Sequence, residues 1–170
     1  MFEFMDADSK TLTLEQIERF ATDPYEIYLS GFWKCSPEIL AKTEDALGYP
    51  LPSQLRLLYL EAGVGTVRKK DVAEELSYNN ILIPTDVPKL LNGTCGWTMP
   101  YATEMEPDTL PFFERAIDLY LCLRPHSDNP NAVYWMWGEK MPNGGKICDS
   151  LVEFFQRLVE DPDWFNPSKP

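Results

Sequence analysis

A chain of 170 residues with 44% apolar and 25% charged residues has the size and makeup of one globular domain that folds without disulfides or metal. Asp and Glu number 27 against 15 Lys and Arg, a net charge of −12. Such a molecule repels nucleic-acid backbones and anionic membrane surfaces and draws basic proteins towards it.

The elements follow in chain order. Thr13 and Gln16 make a capping box that predicts a helix to about Thr22, with Leu14, Ile17 and Ala21 on one face and Asp23-Pro24 as its stop. Ser36-Pro37 predicts a second helix, with a capping hydroxyl and proline in the first turn. Its inner stripe is Ile39, Leu40, Thr43, Ala46 and Leu47, and Gly48 stands where a left-handed cap belongs. Pro50 and Pro52 break the chain before a third helix that buries Leu55, Leu58, Tyr59 and Ala62 and stops at Gly63. Asn80 to Ile83 and Cys95 to Tyr101 are short strand candidates. From Ile117 to Arg124 apolar and other residues alternate, which predicts a strand with one buried face. His126 to Asn131 is a turn by composition, and Ala132 to Trp137 is the antiparallel partner, apolar on both faces with Val133, Trp135 and Trp137 on one of them. Asn143-Gly144-Gly145 is a further turn before a short strand at Lys146 to Cys148. Ser150 and Glu153 cap a last helix whose stripe is Leu151, Phe154, Phe155, Leu158 and Val159, ended by Asp161-Pro162. Residues 163 to 170 read as a loosely held tail. Helices, then strands, then a helix is an α+β order, and no linker divides residues 1 to 170.

Few residues offer chemistry. His126 is the one histidine and sits in a turn, where a surface role fits better than a catalytic one. Cys35, Cys95, Cys122 and Cys148 form no CxxC pair and read as buried thiols of a reducing compartment. No signal peptide or membrane span is expected, and the Asn92-Gly93-Thr94 sequon is then unglycosylated in the cytoplasm. No metal, cofactor or phosphate-loop pattern is found; Gly63-Val64-Gly65 reads as a helix stop and tight turn. Carboxylates remain: Glu74-Glu75, and Glu104, Glu106 and Asp108. The second group lies in a segment with Trp97, Met99, Tyr101 and Met105. Two readings of that segment stay open. It is an aromatic core with an acidic fringe, or a protein-recognition patch with aromatic anchors among acids.

The ordered set Glu44-x-x-Leu47-Gly48-x-x-Leu51-Pro52, Leu58-Tyr59 and Gly63 resembles the opening of the SUKH superfamily, which holds fungal cell-wall-synthesis regulators and many bacterial toxin-immunity proteins. Ile81-Leu82-Ile83-Pro84 with Val87 is similar to its first strand, and Leu110-Pro111-Phe112-Phe113 leading into Ile117 to Leu121 to its middle strand. Val133-Tyr134-Trp135 resembles the next strand, and Ile147 to Phe155 the closing helix. The resemblance spans about residues 36 to 160. Ala62-Gly63-Val64-Gly65 replaces the usual Asn-Gly-Gly break, and the Asn92 to Leu110 segment is longer than usual. The resemblance implies a single α+β domain with a mainly antiparallel sheet of about four to six strands flanked by helices. It further implies a non-enzymatic, cytoplasmic immunity protein that covers a basic toxin domain, with nucleases among the candidates and no catalytic residues to transfer. The contacts expected are Trp97, Tyr101, Glu104, Glu106 and Asp108, with Glu74 and Glu75 next. A regulatory scaffold with several weak partners is the alternative, and a carboxylate-dependent hydrolase a more distant one.

Overall fold

The computed structural model describes residues 10–13, 16–17, 31–67, 79–94, 106–116, 119–138 and 141–166. The elements are β1 (Lys10–Leu12), β2 (Trp33–Cys35), α1 (Pro37–Leu47), α2 (Ser53–Glu61), β3 (Gly65–Thr66), β4 (Asn80–Ile81), α3 (Val87–Leu91), β5 (Leu110–Ala116), β6 (Leu119–Leu123), β7 (Val133–Trp135), β8 (Lys146–Cys148) and α4 (Leu151–Glu160). Strands β3 to β8 form one six-stranded antiparallel sheet in sequence order, and β1 and β2 make a small parallel pair. The α+β arrangement with an antiparallel sheet of that size is the one the resemblance implies.

Short-range chemistry explains the helix ends. Gly48 closes α1 in the left-handed conformation, φ 79°, and its N–H donates to the Glu44 carbonyl. The hydroxyl of Ser36 makes no cap to α1, contrary to expectation; it hydrogen-bonds the Glu38 carboxylate and lowers that group's pKa. Ala46 is exposed rather than part of the inner stripe, in which Ile39, Leu40 and Thr43 are buried and Leu47 packs half-buried against the core. The Thr43 hydroxyl donates back to the Ile39 carbonyl, which lets a polar residue lie in the core. At the N-terminal capping box, Thr13 N–H donates to Gln16 Oε1 at 2.8 Å and Gln16 N–H to Thr13 Oγ1 at 3.3 Å. The helix beyond Ile17 lies outside the described residues, as does the Cys95 to Tyr101 strand candidate.

Gly63 does more than stop α2. Trp33 and Val64 exchange both backbone hydrogen bonds at 2.9 Å, which carries β2 onto the edge of the main sheet. A Cβ on Gly63 would stand 1.8 Å from the Trp33 carbonyl oxygen, so only glycine permits this crossing.

The centre of the sheet departs from the alternation expected for residues 117 to 124. There are two paired strands, β5 and β6, with Ala116 opposite Leu119. Tyr120, Leu121, Cys122 and Leu123 are all buried, so β6 is covered on both faces rather than one. Two bulges bend β5. Phe112 is the extra residue of the first, and it lets Phe112 and Phe113 both reach α4. Arg115 is the extra residue of the second and meets Asp163 at 2.5 Å.

Helix α4 lays Leu151, Phe154, Phe155 and Leu158 into the core, while Val159 points outward at 44% exposure instead of completing the stripe. Phe112, Phe113, Phe154, Phe155, Trp135, Trp164 and Phe165 form one aromatic cluster, ring centroids 5.2 to 6.3 Å apart. The segment after Pro162 is therefore no loose tail as far as Asn166. Phe165 is buried, Arg157 stacks on Trp164 at 3.7 Å, and Asn79 donates to the Pro162 carbonyl. Trp137 is not a strand residue; its φ of 61° turns the chain out of β7.

Candidate partner-binding surface

Three connections meet at one end of the sheet: the hinge between α1 and α2, the approach to β5, and the β6–β7 turn. Asp108, with φ 57°, precedes β5. The His126 backbone N–H donates to both of its carboxylate oxygens, at 3.0 and 3.1 Å. Nδ1 of the same histidine lies 2.6 Å from Asp108 Oδ1. A carboxylate oxygen accepts, so this contact makes Nδ1 the protonated ring nitrogen. The His126 side chain is nonetheless 64% exposed. Its ring meets the Tyr49 ring edge-on at 4.9 Å. Burial, and then the charge of Asp108, raises the pKa of the Tyr49 phenol.

Glu106 occupies a different environment two residues earlier. Its side chain is only 9% exposed and lies 3.5 Å from the Arg124 guanidinium. Arg124 stacks over the Tyr134 ring at 4.2 Å and donates to the Gly144 carbonyl. Beneath them, burial pushes the Cys122 thiol up to about 12, with Glu106 adding to the effect and Arg124 opposing it.

The turn's other end is tied by amide side chains. Asn131 Oδ1 accepts the Gln54 backbone N–H at the start of α2. Gln54 Oε1 in turn accepts from the Ser150 hydroxyl at 3.0 Å and the Val152 N–H at 3.2 Å at the start of α4. Two helix N-termini thus receive acceptors from distant elements. Ser150 Oγ also accepts from the Glu153 N–H, but the Glu153 carboxylate turns to Arg157, so the predicted capping box closes on one side. In the hinge, Glu44 Oε1 accepts the Leu51 N–H at 3.1 Å and faces Arg56 at 3.5 Å.

Of the residues expected to contact a partner, Glu106 and Asp108 are brought to this end, and each is engaged within the chain. Trp97, Tyr101, Glu104, Glu74 and Glu75 lie outside the described residues. The sequence assigns Tyr49 no role and gives His126 only a surface turn. The signal for both is a ring placed inside a Gly-Pro hinge and a Pro-Asn turn, where composition gives no reason for one. Among the described residues no three of the His, Cys, Asp and Glu side chains gather as metal ligands. No described helix is long and apolar enough to cross a membrane.

The fold and its hinge motif define the class. The chain belongs to the SMI1 / KNR4 family (SUKH-1), whose sequence profile matches residues 34–157. It is similar to "Immunity protein YxxD" of Bacillus subtilis (strain 168), with 24% identity over 140 residues that cover 80% of this chain and 88% of that one. No solved structure matches it.

Proposed function

We propose that this chain is an immunity protein: a non-enzymatic, cytoplasmic domain that binds a protein toxin and blocks it. The observation that carries the reading is the similarity to a protein named as an immunity protein over four fifths of this chain. The charge adds a direction. At −12 the molecule steers towards a basic partner, and the nucleic-acid-binding face of a nuclease toxin is such a surface. In this reading Trp97 and Tyr101 anchor, Glu104, Glu106 and Asp108 supply negative potential, and Glu74 and Glu75 extend it.

The reading predicts a large secreted protein with a variable C-terminal domain encoded directly upstream of this chain, and the test uses that C-terminal domain. Expressed alone in a host cell, that domain arrests growth, and co-expression of this chain restores it. Calorimetry then gives saturable 1:1 binding whose association rate falls steeply between low and physiological salt. No saturable binding, or unrelieved growth arrest, overturns the reading. Several weak partners and no toxin would instead mark a regulatory scaffold.

A further inference from the structure

Two Asn-Gly dipeptides stand in the chain, Asn92-Gly93 and Asn143-Gly144. Asparagine before glycine is prone to self-modification, because glycine carries no Cβ to hinder the approach of its backbone nitrogen to the asparagine side chain. Ring closure needs that nitrogen swung round to the side-chain Cγ. Both dipeptides hold it turned away, with ψ 4° at Asn92 and 27° at Asn143. Each peptide must therefore rotate before it can react, and what resists the rotation decides which one does.

At Asn143 the resistance is backbone packing. The Gly144 N–H donates to the Met141 carbonyl at 3.1 Å, and the Gly144 carbonyl accepts from Arg124. Gly145 lies so close to Gly138 that a Cβ on it would stand 2.5 Å from the Gly138 Cα. β8 begins at the next residue. Rotation here would pull apart that contact and the sheet edge together. Asn92 instead follows α3, a helix of five residues, and Asn92, Gly93 and Thr94 are all exposed. The bonds to be broken are Gly93 N–H to the Leu90 carbonyl at 3.2 Å and Thr94 N–H to the Lys89 carbonyl at 2.9 Å. Water replaces such bonds readily at a fraying helix end. The Asn92 side chain is also met by donors. Its Oδ1 accepts from the Thr94 hydroxyl at 2.5 Å and from the Thr94 N–H at 3.1 Å. Negative charge gathers on this oxygen when the amide carbon is attacked, so donors there favour the adduct over the unreacted amide.

We propose that Asn92 is a site of spontaneous conversion to aspartate and isoaspartate, assisted by Thr94, and that Asn143 is protected from it while the chain is folded. The Gly93 nitrogen gives its proton to water and bonds to Asn92 Cγ. The adduct expels the side-chain nitrogen as ammonia and leaves a cyclic imide. Water then opens the imide at either carbonyl. One opening gives aspartate; the other gives isoaspartate, in which the main chain runs through the side-chain carbon. The net reaction consumes one water, releases one ammonia and needs no oxidant or reductant. Either product adds one negative charge at the end of α3 to a chain already at −12, whatever partner the chain binds.

The test holds the folded full chain in mildly alkaline buffer and samples it over time by peptide mapping that resolves asparagine, aspartate and isoaspartate at both positions. Asn92 should convert at least about tenfold faster than Asn143. In urea, where neither turn is held, the two rates should come within about threefold of each other. Thr94→Val keeps the bulk and removes the hydroxyl, and should slow Asn92 roughly fivefold. Thr94→Ser, which keeps a hydroxyl donor, should stay within about twofold of the parent. Asn143 serves as the internal standard in both variants. Asn143 converting as fast as Asn92 in the folded chain, or Asn92 left intact, overturns the site. A tenfold ratio that persists in urea would assign the preference to local sequence and overturn the structural argument. Equal rates in Thr94→Val and the parent would remove Thr94 from the reaction.

Discussion

The two ends of this molecule are held together by different physics. Beneath α4, seven aromatic rings fill the space between helix and sheet, and the cohesion there is area and volume. At the hinge-and-turn end the described Tyr49 and His126 rings lie partly in water. Cohesion comes from side-chain oxygens placed on backbone N–H groups: Glu44 on Leu51, Asp108 on His126, Asn131 on Gln54, and Gln54 on Val152. Helix α4 belongs to both, its body in the first and its N-terminus in the second. The lesson is that a surface built of loops can be made firm without being made apolar, because acceptors fix loops in place while leaving their outer surface wet.

The largest expected effects fall where backbone or ring volume admits no substitute. Gly63→Ala puts a methyl group 1.8 Å from the Trp33 carbonyl oxygen, at φ 90°. Backbone must move to admit it, and a loss of about 4 kcal/mol or more is expected, a large share of a typical domain's stability. Gly48→Ala is the control. Its φ of 79° is as unfavourable for alanine, but nothing lies within 4 Å, so about 1 kcal/mol is expected. Equal losses in the two variants would show that the Trp33–Val64 crossing is not what Gly63 serves. Phe154→Ala, in the middle of the ring cluster, should cost about 3–5 kcal/mol and lower Tm by roughly 10 °C. Asp108→Ala, at the other end, should cost about 1 kcal/mol in the same melts. Similar values for these two would erase the contrast between the ends.

The contrast also explains what could be read from the amino-acid order. Periodicity and stop signals placed α1, the hinge, α2 and α4 because helices carry their burial pattern along a single stripe. The central strands were harder. Tyr120 to Leu123 are buried on both faces, and the adjacent Phe112 and Phe113 point the same way through a bulge, so the period of two is lost where the sheet is most buried. Val159 and Ala46 match the helical spacing and yet face water, since spacing says which residues share a face but not how wide the neighbouring element is. At the candidate site, the acids were visible by type and their partners were not. Asp108 and His126 are far apart in the chain, as are Gln54 and Ser150, and no local pattern announces such pairs.

Alkaline pH should destabilise the fold through its buried thiols. Burial pushes the Cys122 thiol up to about 12 and Cys148 up to about 11, and raises Cys35 as well. An unfolded thiol ionises near pH 8.5 to 9. Between that value and the folded ones, the folded state holds protons that the unfolded state has released. Stability from these thiols is therefore complete below about pH 8.5 and falls as pH rises through the window, with a limiting slope of about 1.4 kcal/mol per pH unit for each thiol. Tm measured from pH 8 to 11 should drop, and Cys122→Ala should flatten the slope while lowering the starting Tm. A slope unchanged in that variant would assign the loss to other groups.

The finest test of the comparison is at Gln54, where both physical styles make a prediction. If this end were held by volume, Gln54→Glu, nearly the same shape, and Gln54→Leu, of similar bulk, would behave alike. If it is held by an acceptor, they diverge. Gln54 Oε1 accepts from the Ser150 hydroxyl and the Val152 N–H, and its own N–H is received by Asn131. Glutamate keeps an oxygen at that position and adds negative charge at the positive end of the α4 dipole, so its stability should equal or exceed the parent by a few tenths of a kcal/mol. Leucine keeps the bulk and leaves the first turn of α4 short of its acceptor, so a loss of about 1 kcal/mol is expected. The ordering Glu, Gln, Leu in urea-denaturation midpoints supports oxygen placement as the cohesive device. Leucine equal to glutamine would mean that packing governs this end too, and that the two ends differ only in how many rings they contain.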